Sequence, residues 1–139
     1  MGEARDVLNR MTDAVFKGDA ANVAGCYAED AVLVTPDYGE VRGRTAIVDY
    51  FRPFFEAFSD IAWEEIRRHE AGDVAIDEGY FTGTHTGPLP NPDGEPIAAT
   101  GKTVRLRECD VATVAGGRIT RHHMYFDQME FLSQLGLNE

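Results

Sequence analysis

The stretch GGRITRHHMYFDQMEFLSQLG, residues 116–136, carries three structural signals in immediate succession. Its leading Gly-Gly pair is typical of a hairpin turn, and residues 118–126 have the composition of a strand. Residues 128–135 then repeat apolar side chains at helical spacing, with Asp127 at the junction. These signals predict a β-hairpin whose second strand leads directly into a terminal helix.

Upstream of that hairpin, the period of the apolar residues separates a helical part of the chain from a strand-rich part. Helical spacing comes first, and Pro53 lies inside it, where its missing amide proton is expected to kink or interrupt the helix. Alternating spacing follows, broken by a loop with four prolines and three glycines at residues 87–101. We predict helices at 3–17, 20–27 and 45–58, strands at 31–35, 61–69, 74–85 and 103–114, and an edge strand within 37–43.

This order of elements predicts a fold class. Helices first, then a run of antiparallel strands, then one helix is typical of an α+β protein with its helices packed on one face of a curved sheet. The chain has 139 residues, of which 43% are hydrophobic, enough for a real core. We therefore expect one domain over residues 1–139.

The charge balance argues against two classes of partner. Thirteen basic and 24 acidic residues give a formal net charge of −11, which repels nucleic-acid phosphates and anionic lipid surfaces. The first residues contain no apolar run of the signal-peptide kind, and no segment approaches transmembrane length. Cys26 and Cys109 lack metal-binding spacing, so we interpret both as reduced core thiols. We expect a cytoplasmic protein that binds neither nucleic acid nor membrane.

Five segments occur in a distinctive order: GDAANVAGCYAEDAVLV, GRTAIVDYF, GTHTG, ATGKTV and GGRITRHHMYFDQMEFLSQLG. Together they resemble the SnoaL-like polyketide cyclase family, which belongs to the NTF2-like superfamily. The resemblance covers nearly the whole chain. Its most specific parts are GTHTG, the TGK turn and the terminal D-x(7)-LG.

The resemblance implies a cone-shaped fold, in which a strongly curved antiparallel sheet wraps around helices and leaves a deep pocket at its open end. It also implies a homodimer or a higher even-numbered oligomer. The best understood family members close a polyketide ring by intramolecular aldol condensation without metal or cofactor, and the aspartate that matches Asp127 is their general acid/base. Family members commonly have tryptophan at the position of His123, so here the resemblance places a polar ring in the pocket.

Asp127 supports two interpretations. Aspartate is among the preferred N-cap residues, and Glu130 follows three residues later, as in a capping box. The resemblance instead makes Asp127 a general acid/base. Both roles are compatible, because a strand-to-helix junction can border the mouth of a pocket, and a carboxylate that faces an apolar pocket is a better base near neutral pH.

His122 and His123 are adjacent on a predicted strand, so their side chains are expected to point to opposite faces. If the alternation is unbroken, His123 shares a face with Ile119, Tyr125 and Asp127, and we predict that this face is interior. His122 would then lie on the other face. A β-bulge in the strand would exchange the two assignments.

A second set of side chains is expected to line or border the pocket. His85, in GTHTG, either bonds a loop carbonyl or contacts the ligand. Glu108 and Asp110 alternate with Arg105 and Arg107, for which salt bridges are the first interpretation and a polar group inside the pocket is the second. The aromatic residues predicted to contact an apolar ligand are Tyr27, Tyr38, Phe51, Phe55, Trp63 and Tyr125.

These residues predict an enzyme that needs no metal and no cofactor. The histidines lack the helical spacing of metal ligands, and the chain has no phosphate loop, dinucleotide fingerprint or nucleophile elbow. Asp127 would remove a proton alpha to a carbonyl of a small apolar substrate, while His123 or His85 donates a hydrogen bond to the enolate oxygen. The alternatives are another acid/base reaction, such as isomerisation, dehydration or epoxide hydrolysis, and non-catalytic binding of a small molecule.

Overall fold

The computed structural model describes residues 2–91 and 94–137, and these ranges contain four helices and six strands. Residues 92 and 93, part of the predicted loop, lie outside the described residues. The helices are α1 (Glu3–Phe16), α2 (Ala20–Cys26), α3 (Arg44–Ala57) and α4 (Gln128–Gln134). The strands are β1 (Tyr27–Thr35), β2 (Gly39–Arg42), β3 (Phe58–Ala71), β4 (Val74–His85), β5 (Thr103–Ala115) and β6 (Arg118–Phe126).

The strands form one curved, open sheet in the order β2-β1-β6-β5-β4-β3. Strands β3 to β6 are a continuous antiparallel meander, and β1 and β2 form an antiparallel hairpin. β1 pairs with β6 in parallel, so the sheet is mixed where the N-terminal hairpin joins the C-terminal strands. The predicted α+β class is confirmed, with this parallel pair as an addition to it.

Two strands begin earlier than the sequence pattern predicts. Helices α2 and α3 run directly into β1 and β3, and the first residues of these strands, Tyr27 and Phe58, already have extended backbone angles. Pro53 does not interrupt α3, which is continuous from end to end. The carbonyl that loses its helical partner to this proline belongs to Asp49, an exposed residue, so water can replace the missing hydrogen bond.

Helix α1 is fixed to the sheet by its first turn. Its N-cap, Gly2, offers no side chain, and the carboxylate of Glu70 in β3 instead accepts hydrogen bonds from the amides of Gly2 and Arg5 at 3.0 and 3.1 Å. The buried Arg5 guanidinium forms an ion pair with Asp77 of β4 at 2.5 Å. Because separating a buried ion pair is costly, these contacts hold α1 over β3 and β4.

Two apolar clusters fill the space between helices and sheet. The larger one joins α1, α2 and α3 to β1 and β6, and the smaller one lies under α4.

Cys26 is buried and Cys109 is half-buried, and both are free thiols. No helix in the described part of the chain combines the length and apolar character that a membrane crossing requires.

Candidate active site

A cavity of about 300 Å³ lies where the two apolar clusters meet, between the helices and the inner face of the sheet. Most of its wall is aromatic and aliphatic, which is typical of a small-molecule site. The aromatic part includes Phe16, Phe51, Phe54, Trp63, Phe81 and Phe126.

Strand β5 contributes two carboxylic acids to this largely apolar wall. Strand β5 alternates regularly, and the side chains of Leu106, Glu108 and Asp110 share its inner face and line the cavity. Arg105 and Arg107 point to the outer face, where they pair with acids of other elements rather than with Glu108 or Asp110. The second interpretation of these acids, a polar group inside the pocket, is therefore the one that the structure supports.

The Asp110 carboxylate begins a buried hydrogen-bonded chain. Its Oδ1 lies 2.7 Å from Nε2 of His122, a fully buried residue of β6. Nδ1 of His122 lies 2.8 Å from the hydroxyl of Tyr27, which is also fully buried. On the other side of Asp110, a hydrogen bond joins its carboxyl group to that of Glu108. Four polar side chains are thus linked in one chain, of which Glu108, Asp110 and His122 line the cavity and Tyr27 lies behind them.

Burial dominates the titration of these groups. It raises the pKa of Asp110 to about 7 and, together with the nearby Asp110 charge, raises the pKa of Glu108 well above its usual range. It lowers the pKa of His122 to about 4, so the imidazole is neutral at neutral pH. Burial likewise raises the pKa of Tyr27 well above its usual range, which keeps the phenol protonated.

One proton arrangement satisfies all of these contacts. The Tyr27 hydroxyl donates to Nδ1 of neutral His122, whose Nε2–H donates to Asp110. Glu108, whose pKa burial and the nearby Asp110 charge raise well above its usual range, keeps its proton and donates to the same aspartate. Asp110 is then an ionised acceptor of two hydrogen bonds, next to a neutral carboxylic acid.

A second polar pair borders the cavity. The Tyr50 hydroxyl of α3 donates to Oδ1 of Asp37, in the turn after β1, at 3.1 Å. Both residues line the cavity, and Tyr38 packs edge-to-face on Tyr50 with ring centroids 5.4 Å apart. Burial and the adjacent Asp37 carboxylate raise the pKa of Tyr50 well above its usual range. The site therefore has acids on two separate elements.

A β-bulge in β6 decides which histidine faces the cavity. Thr113 of β5 pairs with Arg121, whereas the next residue, Val114, pairs with Ile119, so Thr120 is an extra residue in β6. Because one inserted residue reverses the alternation, Ile119 and His122 face the same side. The prediction that His123 shares an interior face with Ile119, Tyr125 and Asp127 is therefore wrong.

His123 and Tyr125 lie on the outer face of the sheet. Nε2 of His123 accepts a hydrogen bond from Nε of Arg121 at 2.9 Å, and its Nδ1 lies 3.2 Å from the Tyr125 hydroxyl. Tyr125 is 54% exposed. Neither residue lines the cavity.

Asp127 is exposed and caps helix α4. Its Oδ1 accepts hydrogen bonds from the amides of Met129 and Glu130 at 2.9 and 3.2 Å. Glu130 pairs with Arg107 at 2.5 Å, so it does not complete a capping box. The cap interpretation accounts for every hydrogen bond that Asp127 makes here, and its neighbour Gln128, rather than Asp127, lines the cavity.

His85 is buried away from the cavity. Its Nδ1 accepts a hydrogen bond from the Thr100 amide at 3.2 Å, and its ring lies 5.3 Å from that of Phe58. Its backbone amide donates to Lys102 and its carbonyl accepts from Gly101. Burial lowers the pKa of His85, so the ring is a neutral anchor for the TGK turn.

Of the six aromatic residues predicted to contact the ligand, three line the cavity and three do not. Phe51, Trp63 and the half-exposed Tyr38 line the cavity. Tyr27 lies behind His122, Tyr125 lies on the outer face, and the ring of Phe55 packs beside Gly18 without reaching the cavity. Within the described residues, no group of three or more His, Cys, Asp and Glu side chains is arranged to hold a metal ion.

The sequence predicts Asp127 and His123 for the site, whereas the residues that line the cavity are Glu108, Asp110 and His122. Glu108 and Asp110 carried a usable signal, because they share the alternation of Leu106 and Ala112 in an otherwise apolar face of β5. No sequence signal predicted the inward position of His122, because the β-bulge that turns this side chain inward has no recognisable sequence pattern here.

The fold and cavity together define a class: a cone-like α+β protein of the NTF2 and ketosteroid isomerase type with a pocket of small-molecule size. The family model described as the SnoaL-like domain matches residues 8–122. The chain therefore belongs to the SnoaL-like family, and the family prediction made from its motifs is confirmed.

The chain is similar to one relative by sequence and shares its fold with several solved structures. The uncharacterized protein Rv0034 of Mycobacterium tuberculosis is 32% identical over 124 residues, which span 84% of this chain and 82% of Rv0034. A Jannaschia protein named as a SnoaL-like polyketide cyclase superposes with a TM-score of 0.85 at 14% identity, over 99% of this chain and 94% of that one. An epoxide hydrolase of M. tuberculosis superposes with a TM-score of 0.73 at 20% identity, over 96% and 89% of the two chains.

Proposed function

We propose that this protein is an acid/base enzyme of the SnoaL-like type, which closes a ring by intramolecular aldol addition in a small apolar carbonyl substrate and needs no cofactor. The observation that carries this proposal is the hydrogen-bonded pair Glu108–Asp110 in the wall of an apolar cavity. Adjacent acids whose environments favour different protonation states are the arrangement that acid/base catalysis requires at neutral pH.

The two carboxyl groups take complementary roles. Asp110, with a pKa of about 7, is a base whose strength suits proton abstraction near neutral pH. Glu108, which retains its proton, shifts its hydrogen bond from Asp110 to the substrate carbonyl oxygen as negative charge develops there. Together they stabilise an enolate against a largely apolar cavity wall.

The reaction is balanced within one substrate molecule. Asp110 takes the proton from the carbon alpha to one carbonyl, and the enolate carbon forms a bond to a second carbonyl carbon of the same molecule. That carbonyl becomes an alkoxide, which recovers the proton from Asp110. The product is an isomer of the substrate, and both acids return to their starting states.

His122 and Tyr27 act through Asp110 as positioning residues. Nε2–H of His122 holds the carboxylate of Asp110, and the Tyr27 hydroxyl selects the tautomer by donating to Nδ1. Neutral His122 supplies a hydrogen bond without the positive charge that would weaken Asp110 as a base. In this scheme Glu108 takes the role of enolate hydrogen-bond donor that the sequence analysis gave to His123 or His85.

An uncharged triketone tests the proposal. 2-Methyl-2-(3-oxobutyl)cyclohexane-1,3-dione is a β-dicarbonyl that closes to a bicyclic ketol by one intramolecular aldol step. We expect wild-type protein to accelerate this closure and to give one enantiomer in excess, measured by chiral chromatography. Glu108→Gln, which cannot donate an acidic proton, should lower the rate by about 10²-fold or more. A racemic product at the buffer rate with wild-type protein contradicts the proposal.

Epoxide hydrolysis is the second candidate, because a base and a neutral acid side by side can also activate water and protonate an epoxide oxygen. The fold shared with an epoxide hydrolase supports considering it. Cyclohexene oxide in ¹⁸O-labelled water would then give a diol with one labelled oxygen, detected by mass spectrometry. If neither probe is converted while Trp63 fluorescence still reports ligand binding, the non-catalytic alternative is favoured.

We also propose that the protein forms a homodimer, or a higher even-numbered oligomer, through the outer face of the sheet. Exposed apolar side chains on this face, such as Tyr125 and Ile66, support the proposal. Light scattering at micromolar concentration measures the mass directly, and a monomer would contradict it.

A further inference from the structure

Apart from His122, the ionisable side chains that line the cavity are acidic rather than basic. Three of its lining side chains are carboxylic acids: Asp37, Glu108 and Asp110. Among the described residues that line it there is no lysine or arginine. The His122 imidazole contributes no positive charge at neutral pH, because burial lowers its pKa to about 4.

The nearest arginines in the sequence are turned away from the cavity. Arg105 and Arg107 precede Glu108 in the sequence, but alternation directs them to the outer face, where they pair with Glu64 and Glu130 at 2.7 and 2.5 Å. An anion inside the cavity would therefore meet carboxyl groups and apolar walls without a cation in the described lining to neutralise it.

We propose that the site takes an uncharged substrate and rejects molecules whose reacting end carries a carboxylate or a phosphate. This inference rests on the acid/base function proposed above, because the carboxyl pair that moves protons also sets the charge preference. An anion would lose its hydration without gaining a charged partner, and the Asp110 carboxylate would repel it. A ketone or amide of the same shape avoids the repulsion and can accept a hydrogen bond from the Glu108 carboxylic acid.

Asp37 extends this preference to a second element of the wall. The Tyr50 hydroxyl holds its carboxylate beside the cavity at 3.1 Å, while Glu108 and Asp110 approach from β5. An anion that avoided one acidic group by changing its orientation would thus meet another. Like-charge juxtaposition of this kind is a common means of excluding the wrong ligand.

The test uses two nearly isosteric probes, adamantane-1-carboxamide and adamantane-1-carboxylate. Trp63 is the only tryptophan of the chain and lines the cavity, so its fluorescence reports binding of either probe. At pH 8 we expect the carboxamide to bind at least about 10-fold more tightly than the carboxylate. Asp37→Asn, which preserves an acceptor for Tyr50, and Asp110→Asn should each reduce this ratio.

Asp127→Asn is the matched control, because it removes one negative charge outside the cavity and should leave the ratio unchanged. Equal or tighter binding of the carboxylate by wild-type protein, or binding of neither probe, overturns the inference. The inference also fails if neither Asp37→Asn nor Asp110→Asn changes the ratio of the two affinities. Turnover of the triketone, measured on the same preparations, is independent, so loss of the charge preference with turnover intact refutes this inference alone.

Discussion

His122 and His123 are neighbours in β6, and each belongs to a set with a tyrosine and an aspartate nearby in space or sequence. His122 is fully buried between Tyr27 and Asp110, at the cavity wall. His123 lies on the outer face beside Tyr125, and Asp127 follows on the surface as a helix cap. The same three residue types therefore form two clusters, one enclosed and one exposed to water.

The difference between the clusters lies in solvation rather than composition. Burial raises the pKa of Asp110 to about 7, so small changes in its surroundings move a proton near neutral pH. His123, Tyr125 and Asp127 do not line the cavity, and His123 and Tyr125 contact each other on the outer face of the sheet. A catalytic interpretation of a His, Tyr and Asp combination thus depends on which face of the sheet carries it.

The largest expected difference between the clusters is in turnover. Asp110→Asn and Asp127→Asn make the same chemical change in the enclosed and exposed cluster. Asp110→Asn removes the proposed base and should lower triketone cyclisation by ~10²–10⁴-fold. Asp127→Asn keeps the helix cap and should remain within about twofold of wild type. The reverse order of effects, measured as kcat/KM, would return the catalytic role to Asp127.

The second largest expected difference is in the stability of variants at the two histidines. His122→Ala leaves a cavity and strips hydrogen-bond partners from Tyr27 and Asp110, so we expect a loss of about 3 kcal/mol in the free energy of unfolding. His123→Ala removes a surface side chain and should change it by about 0.5 kcal/mol or less. Urea unfolding followed by Trp63 fluorescence measures both. Equal losses would show that the environments of the two rings differ less than their burial indicates.

The pH dependence of stability sharpens the comparison further. The pKa of Asp110 is about 7 in the folded state and 3.8 ordinarily, so its stabilising contribution is fully present below about pH 3.8 and is lost as the pH rises toward 7. His122 acts in the opposite sense between about pH 4 and 6.5, where its lowered pKa adds stability as the pH rises.

Asp110→Asn removes the aspartate from the Glu108–Asp110 pair and retains His122, so the variant reports the titration of the pair. From about pH 5 to 7.5, wild-type protein should lose about 2–3 kcal/mol of unfolding free energy relative to the variant. Parallel pH profiles from denaturant titrations would mean that Asp110 titrates normally, and would remove the basis for its role as a base at neutral pH.

The smallest expected effect concerns the helix cap. Asp127→Ala loses the acceptor for two amides and should cost ~1 kcal/mol, whereas Asp127→Asn should cost only a few tenths. Thermal melts of the two variants and wild type provide the measurement. If Asn destabilises as much as Ala, the contribution of Asp127 comes from its charge at the start of α4 rather than from its hydrogen bonds.

The sequence by itself determined the class, the family and most of the element order. Alternation along residues 103–114 and helical spacing in residues 3–17 are local properties, and local spacing suffices to decide which side chains share a face. Helical spacing around Phe51 and strand alternation around Trp63 likewise predicted that these two side chains border a pocket. For Asp127 it supported the N-cap interpretation, because capping depends only on the residues of the next turn, while the family resemblance implied a general acid/base.

Tertiary structure decided the site. The extra residue at Thr120 reverses the alternation of β6, and bulges form where strand pairing demands them, without a sequence signature here. The pKa values of Asp110 and His122 depend on burial by α1, α3 and β1, which lie far away in the sequence. Proton chemistry in this protein is a consequence of desolvation, and desolvation is a property of the assembled cavity rather than of any segment.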